Sequence, residues 1–353
     1  MVKLKKSTIY KLLLLSSIGS LNAAGYWVKY GWEIFDHVTD ARTAALGNTV
    51  IGYPLSSMGA YISNPAFKLD EYNRFGLTHQ TRFAGMVNGD YVGFRKEISK
   101  NMPIYFSLLY ESIGKIPDTR SMLLDWGTDG VFGTQDAGEG NGILDEGERL
   151  DQDKIRFFSQ HQVGLHGAVN KIWRQWRIGI GTKILLHFLD KHHAIGIGLD
   201  LGIFRSFNKF NFGTVIRNIP SSGILWENGT IEGTLPSIST GIHYPFNINR
   251  LSLAVNPLLS IRMGLSDRFL DSQIGFSHTS IDVAAGLECI YKNKLAVRIG
   301  RNPYGTLSGG IGISWSGVSM DYGFLAENSR SGLGNHHLIS LGISPTWLLE
   351  KVR

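Results

Sequence analysis

The sequence predicts an all-β fold, a transmembrane antiparallel barrel of about fourteen strands. Three observations predict it: many segments in which apolar residues alternate with polar residues or glycine, a glycine excess gathered on one parity of those segments, and an N-terminus shaped for export. The alternating segments fall at 74–81, 87–96, 103–112, 156–169, 175–188, 193–206, 209–218, 234–243, 250–262, 280–290, 294–302, 307–316, 318–325 and 336–344. Most exceed the roughly 5–6 residues of a soluble strand and match the ~9–11 residues a tilted strand needs to cross a bilayer.

The alternation is clearest in the middle of the chain. Between 177 and 188 one parity carries Ile178, Ile180, Ile184, Leu186 and Phe188, and the other Arg177, Gly179, Gly181, Lys183 and His187. Between 194 and 204 the apolar parity is Ile195, Ile197, Leu199, Leu201 and Ile203, against Gly196, Gly198, Asp200 and Gly202. Segments 295–300 and 310–316 divide in the same way. In a membrane barrel the apolar parity faces lipid and the other faces the lumen. Glycine makes up 43 of 353 residues, about 12% against about 7% in ordinary proteins, and its place on the second parity fits a crowded interior. A β-sandwich would use shorter strands, and a β-solenoid would show a fixed repeat that this chain lacks.

The N-terminus reads Met1-Val2-Lys3-Leu4-Lys5-Lys6, then an apolar run from Leu12 to Leu21, then Asn22-Ala23-Ala24-Gly25. Basic head, short apolar core and small residues form an export signal over 1–24, too short to anchor as a spanning helix. Beyond it no run of about 18 apolar residues occurs, which excludes a helical membrane protein. The single cysteine, Cys289, lies in a strand pattern and reads as a small hydrophobe.

Lysine and arginine exceed aspartate and glutamate by 35 to 29, a balance that alone would admit nucleic-acid binding. Segment 125–153, however, holds nine acids and one base, so the remainder carries 35 − 1 = 34 bases against 29 − 9 = 20 acids. The excess fits barrel rims facing anionic outer-membrane lipid, and no nucleic-acid motif accompanies it. The acidic insertion spans 121–154. Calcium takes six to eight oxygen ligands, commonly from carboxylates spaced around glycine turns. In the EF-hand pattern, Glu139, Asn141, Asp145 and Glu148 fall at positions 3, 5, 9 and 12, beside Asp136, while Asp125, Asp129 and Asp136 make a second partial match. Flanking helices are missing. A solvated acidic loop and a calcium-ordered loop are both open on this sequence, and calcium is the only cofactor it suggests.

Other constellations point away from chemistry. Gly179-Ile-Gly181, Gly196-Ile-Gly198 and Gly310-Ile-Gly312 lie within strands with no helix after them, unlike a dinucleotide fingerprint. His161, His166, His187, His192, His193, His336 and His337 assemble no Ser-His-acid set by spacing, and no enzyme activity is expected. The lumen parity carries Arg177, Lys183 and Arg298 together with Asp200, Asp282, Glu288 and Asp321. Mixed signs suit internal ion pairs, because buried charges need partners.

Segment 25–70 breaks the alternation. Asp40-Ala41-Arg42-Thr43-Ala44-Ala45-Leu46-Gly47-Asn48 reads as a short helix of small residues ended by glycine, and Ser63-Asn64-Pro65-Ala66 as a turn. An acidic-Ala-Arg-x-Ala-Ala-Leu-Gly-Asn stretch followed by Asn-Pro-Ala resembles the start of FadL-like outer-membrane barrels, and is most similar to the PorV/PorQ group. The run Gly309–Ile313, then Val318–Phe324 and Leu333–Gly342, is similar to that group's last strands, although the chain continues past Trp347 to Glu350-Lys351-Val352-Arg353.

The resemblance implies an outer-membrane barrel over 71–353 with residues 25–70 tucked inside as a plug held by Asp40, Arg42, Gly47, Asn48, Asn64 and Pro65. It implies a role in type IX-like secretion, with secreted client proteins or secretion-system components as partners. The alternative it implies is passive passage of hydrophobic small molecules.

Overall fold

Period-two alternation sets the fold, because a strand with one apolar and one polar face must hand each face to a different environment. The computed structural model describes residues 31–37, 39–55, 57, 59–67, 75–99, 102–265, 272–276, 279–326, 334–345 and 347; the expected export signal lies outside the described residues. The strands are β1 (Phe75–Arg82), β2 (Val87–Ser99), β3 (Met102–Asp118), β4 (Arg156–Trp173) and β5 (Trp176–Leu189). They continue with β6 (His192–Ser206), β7 (Asn211–Arg217), β8 (Ser237–His243), β9 (Leu253–Leu265) and β10 (Thr279–Tyr291). The last four are β11 (Leu295–Arg301), β12 (Leu307–Trp315), β13 (Val318–Leu325) and β14 (His336–Ile343). Each pairs antiparallel with the next, and β14 returns to β1 in register from Phe75↔Ile343 to Thr81↔His337, closing the barrel. All fourteen expected segments are therefore staves of one closed wall.

The parities divide as the alternation requires. On β6, Ile195, Ile197, Leu199 and Leu201 are 40–67% exposed on the outside, whereas Gly196, Gly198, Asp200 and Gly202 are buried inside. An outer surface of aliphatic side chains on strands this long is the lipid face of an outer-membrane-type barrel. Among the described residues no helix is long and apolar enough to cross a membrane. Connections 174–175, 207–210, 292–294 and 316–317 are short, while 119–155 and 218–236 at the opposite end are long. Barrels of this type keep short turns in the periplasm and long loops outside, which places 119–155 on the cell surface.

One part of the wall departs from expectation. The sequence places the eighth strand at 234–243, but Thr234 belongs to a hairpin, Ser222–Trp226 with Ile231–Thr234, and β8 starts at Ser237. The hairpin pairs with β6 from Gly223↔Ile197 to Trp226↔Ala194. Strand β7 has 7 residues and β6 has 15, so the upper edge of β6 would otherwise leave its backbone groups unpaired. Pro236, without a donor for the ladder, separates the hairpin from β8.

The N-terminal segment lies against the inward parity. It contains α1 (Ile34–His37), α2 (Ala41–Ala45), a 3₁₀ turn at Val50–Gly52 and α3 (Ala60–Ser63). Trp32, Phe35, Tyr53, Leu55, Tyr61 and Phe67 pack with wall residues Tyr91, Tyr105, Leu109, Leu185 and Phe204 in one buried cluster. The wall's glycines admit this backbone. A Cβ on Gly213 would stand 1.9 Å from the Ile51 carbonyl oxygen, and one on Gly179 would stand 2.3 Å from the Pro65 carbonyl.

Candidate functional site

The lumen is the candidate site, and its polar centre is built on Glu288. This residue faces inward on β10, directly across the ladder from Arg298 of β11, and is fully buried. Arg42 Nε donates to its Oε1 and Arg42 Nη2 to its Oε2, each at 2.8 Å, a bidentate pair. Arg298 Nε also donates to Oε1 at 2.7 Å, and the Tyr53 hydroxyl donates to Oε2 at 2.6 Å. Arg298 Nη1 lies 2.7 Å from Asp321 Oδ1. Two guanidiniums and two carboxylates thus join the N-terminal segment to three strands.

Asp40 is the N-cap of α2: its carboxylate accepts from the Thr43 amide at 2.9 Å, the Thr43 hydroxyl at 2.8 Å and the Ser57 hydroxyl at 3.0 Å. The Ala41 amide donates to the Ser340 hydroxyl of β14 at 2.7 Å, and that hydroxyl bonds Thr78 of β1 at 2.7 Å. Gly47 and Asn48 end the helix with positive φ, 65° and 57°, the left-handed backbone expected at a helix stop. Asn64 Nδ2 donates to the carbonyls of Ile51 (3.0 Å) and Ile203 (3.2 Å), and its Oδ1 accepts from the Ala66 amide. Asn170 Nδ2 holds the Pro65 and Phe67 carbonyls.

The other lumen charges are placed separately. Lys183 Nζ lies 2.8 Å from Asp200 Oδ1, donates to Asn218 Oδ1 at 2.8 Å and stands over the rings of Trp32 and Phe35. Arg177 donates to Asn170 rather than to an acid. Asp282 accepts from the Gln273 amide and faces Arg262 across the β9–β10 ladder. Sequence reading missed Asp36, Arg217 and Arg262: Arg217 donates to Asp36 Oδ1 at 2.8 Å and Arg262 to Oδ2 at 3.2 Å. Arg262 shares the lumen parity of Asn256 and Ser260, so its inward position was readable; Asp36, outside any strand, gave no such signal.

Two cavities flank the N-terminal segment. An outer one of about 260 Å³ lies below the long loops, bounded by Phe35, Ile62, Gln80, Arg217, Arg262 and Leu338 among others. An inner one of about 730 Å³ opens among the short turns, bounded by Arg42, Thr78, Arg298, Asp321, Ser340 and Lys294 among others. Gln80 and Thr78 are two residues apart on β1, as are Leu338 and Ser340 on β14. One strand repeat, about 7 Å, separates the cavities along this seam, and the Asp40–Ala41 cap stands there.

The acidic loop does not gather its carboxylates. Asp125 accepts from the amides of Gly140, Asn141 and Gly142, and Glu148 from those of Gly127 and Asp145. Asp136 accepts from the Asp129 amide and Thr128 hydroxyl, and the hydroxyl bond foremost holds its carboxyl below the usual range. Glu139 accepts from Gly133 and Gln135, while Asn141 donates to Asp145. Among the described residues no three metal-ligating side chains converge. The carboxylates instead lie against the loop's own amides, because its glycine turns leave many N–H groups without ladder partners. His192 and His193 stand 2.7 and 2.5 Å from Glu227 on an exposed turn.

Fold and lumen together define a closed fourteen-stranded barrel of outer-membrane type with its own N-terminal chain inside. No known family and no curated protein matches the chain in sequence. Among solved structures it is similar to the Pseudomonas putida toluene transporter TodX, at 14% identity over 86% of this chain and 98% of that one, with a TM-score of 0.47. It is also similar to a Pseudomonas aeruginosa FadL homologue, at 12% identity over 90% and 98%, TM-score 0.48. A third is the Acinetobacter baumannii outer membrane protein Omp33, at 8% identity over 77% and 97%, TM-score 0.38. At these values no residue role transfers from those proteins to this chain.

Proposed function

We propose that this protein is an outer-membrane passage for small molecules with substantial apolar surface, and that its N-terminal segment acts as the plug. One observation carries the reading: two cavities, one below the surface loops and one among the short turns, approach each other at a thin seam where the Asp40–Ala41 cap stands. The cap meets the wall through the neutral Ala41–Ser340 and Ser340–Thr78 hydrogen bonds, each worth about 1 kcal/mol net, whereas the charged cluster around Glu288 anchors the same helix alongside. A small displacement of Thr39–Ala41 joins the cavities without disturbing the wall. Phe35, Ile51, Ile62, Phe83 and Leu338 give the outer cavity an apolar side.

The test is uptake of a panel of small apolar and polar solutes into proteoliposomes, with and without a loosened plug. Passage of no solute above protein-free vesicles in either form rejects the reading.

A second reading, docking of a secreted client protein, is favoured by one feature. Val131, Phe132, Ile143 and Leu144 are apolar and 55–76% exposed on the surface loop. Removing the gene and finding surface protein secretion unchanged would remove it.

A further inference from the structure

The outer cavity contains buried polar groups that the described residues leave without partners. Gln80 points inward from β1 and is 1% exposed, yet among the described residues neither its amide oxygen nor its nitrogen has a hydrogen-bond partner. Asn48 Oδ1, Arg82 Nε and Arg217 Nε are also buried and have no partner among the described residues, and all four residues line this one cavity. Burying such groups with nothing to meet them is costly, and four such residues around one space mark a place where a polar partner is received.

The charge around the cavity has a sign. Arg82, Arg217 and Arg262 line it, against one lining carboxylate, Asp36. Beyond Asp36, Glu111 pairs with Arg82, Glu33 stands within electrostatic reach of Arg82 and Asp36, and Asp282 faces Arg262 across the ladder; none of these three lines the cavity. Asp36 already shows the geometry such guanidiniums accept, one oxygen on Arg217 and the other on Arg262. The opposite wall is apolar, with Phe35, Ile62, Phe83 and Leu338. At about 260 Å³ the space is larger than the ~150 Å³ cavity that holds a benzene ring.

We infer that the outer cavity is a binding site for a compact organic acid, one ring or its aliphatic equivalent bearing a single carboxylate. The carboxylate lies against Arg217 and Arg262 and takes hydrogen bonds from Gln80, while the ring rests on the apolar wall. The inference rests on the passage reading and names the substrate class for that lumen. A long acyl chain exceeds the volume, and a bare hydrocarbon leaves Gln80 unpaired.

The test is calorimetric titration of the full chain in detergent with benzoate, toluene and palmitate, on wild type and on Gln80→Met and Arg262→Met. Gln80→Met removes only unpartnered atoms at constant size, so the apo protein keeps its fold and thermal stability. Expected are saturable benzoate binding, about tenfold or more weaker in Gln80→Met and weaker again in Arg262→Met, and toluene binding not weakened by Gln80→Met. Absent benzoate binding, benzoate binding indifferent to Gln80→Met, or palmitate binding as tight as benzoate overturns the inference. Liposome uptake of toluene alone would uphold passage while this site fails, so the two readings separate.

Discussion

Replacing Glu288 by glutamine tests whether the charged cluster is what holds the N-terminal segment. Glutamine keeps the shape but removes the charge and places an amide N–H₂ among four converging donors: two from Arg42, one from Arg298 and one from Tyr53. Removing one partner of a buried pair leaves the other charge uncompensated and costs about 3–5 kcal/mol. Arg298 is 3% exposed and cannot turn to water, whereas Arg42 belongs to the segment and recovers hydration by leaving. The cost is therefore relieved by detachment. At about 1.4 kcal/mol per factor of ten, the detached population should rise roughly a hundredfold to a few thousandfold. Amide hydrogen exchange of α2 and the turn at Val50–Gly52 in nanodiscs reads this directly, with the wall strands as internal control. Exchange within about threefold of wild type, with unchanged protection of the wall, would refute the argument. The Arg42→Met, Glu288→Gln double variant should restore part of the protection, because the orphaned guanidinium of the segment is gone.

Three further outcomes are expected. Gly213→Ala places a methyl 1.9 Å from the Ile51 carbonyl, so the segment should become protease-sensitive while the barrel still assembles; native-gel mobility of the folded band separates the two. Leu199→Arg, at the middle of β6 on the lipid face, should cost about 2–4 kcal/mol in a urea titration of folding into vesicles, and Leu199→Ile very little. For the surface loop the sign follows from Asp136, whose carboxyl is held below its ordinary value of 3.8 by the Thr128 hydroxyl and Asp129 amide. Its contribution is full above that value and lost as pH falls below it. Limited proteolysis of 125–148 should accelerate on acidification in wild type and show a smaller change in Asp136→Asn.

The wall was legible because period-two alternation is a local property. In β5, Ile178, Ile180 and Ile184 against Gly179, Gly181 and Lys183 report the two faces regardless of neighbours, and the observed strands start and stop close to the expected residues. The hairpin 222–234 was not legible, because it exists to cover the edge that a short β7 leaves on β6, a demand that arises only once those strands are side by side. Inward charge was readable by parity; its pairing was not. Lys183 and Asp200 meet through a diagonal across two strands, and Arg42 reaches Glu288 over a sequence separation of 246.

By itself the sequence determined the barrel, its strand number, the lipid-facing parity and the identity of some of the lumen's charged residues. These follow from hydrophobic periodicity, which needs only nearest neighbours along a strand. Only the tertiary structure decided why the glycines lie inward. They are where a second backbone, the chain's own N-terminal segment, touches the wall at Gly179, Gly213 and Gly300. Tertiary structure alone also turned the acidic loop's carboxylates onto its own amides, and left Gln80 facing a cavity with no hydrogen-bond partner among the described residues. Contacts of this kind are fixed by closure of the ring and by what fills it, and no local pattern encodes either.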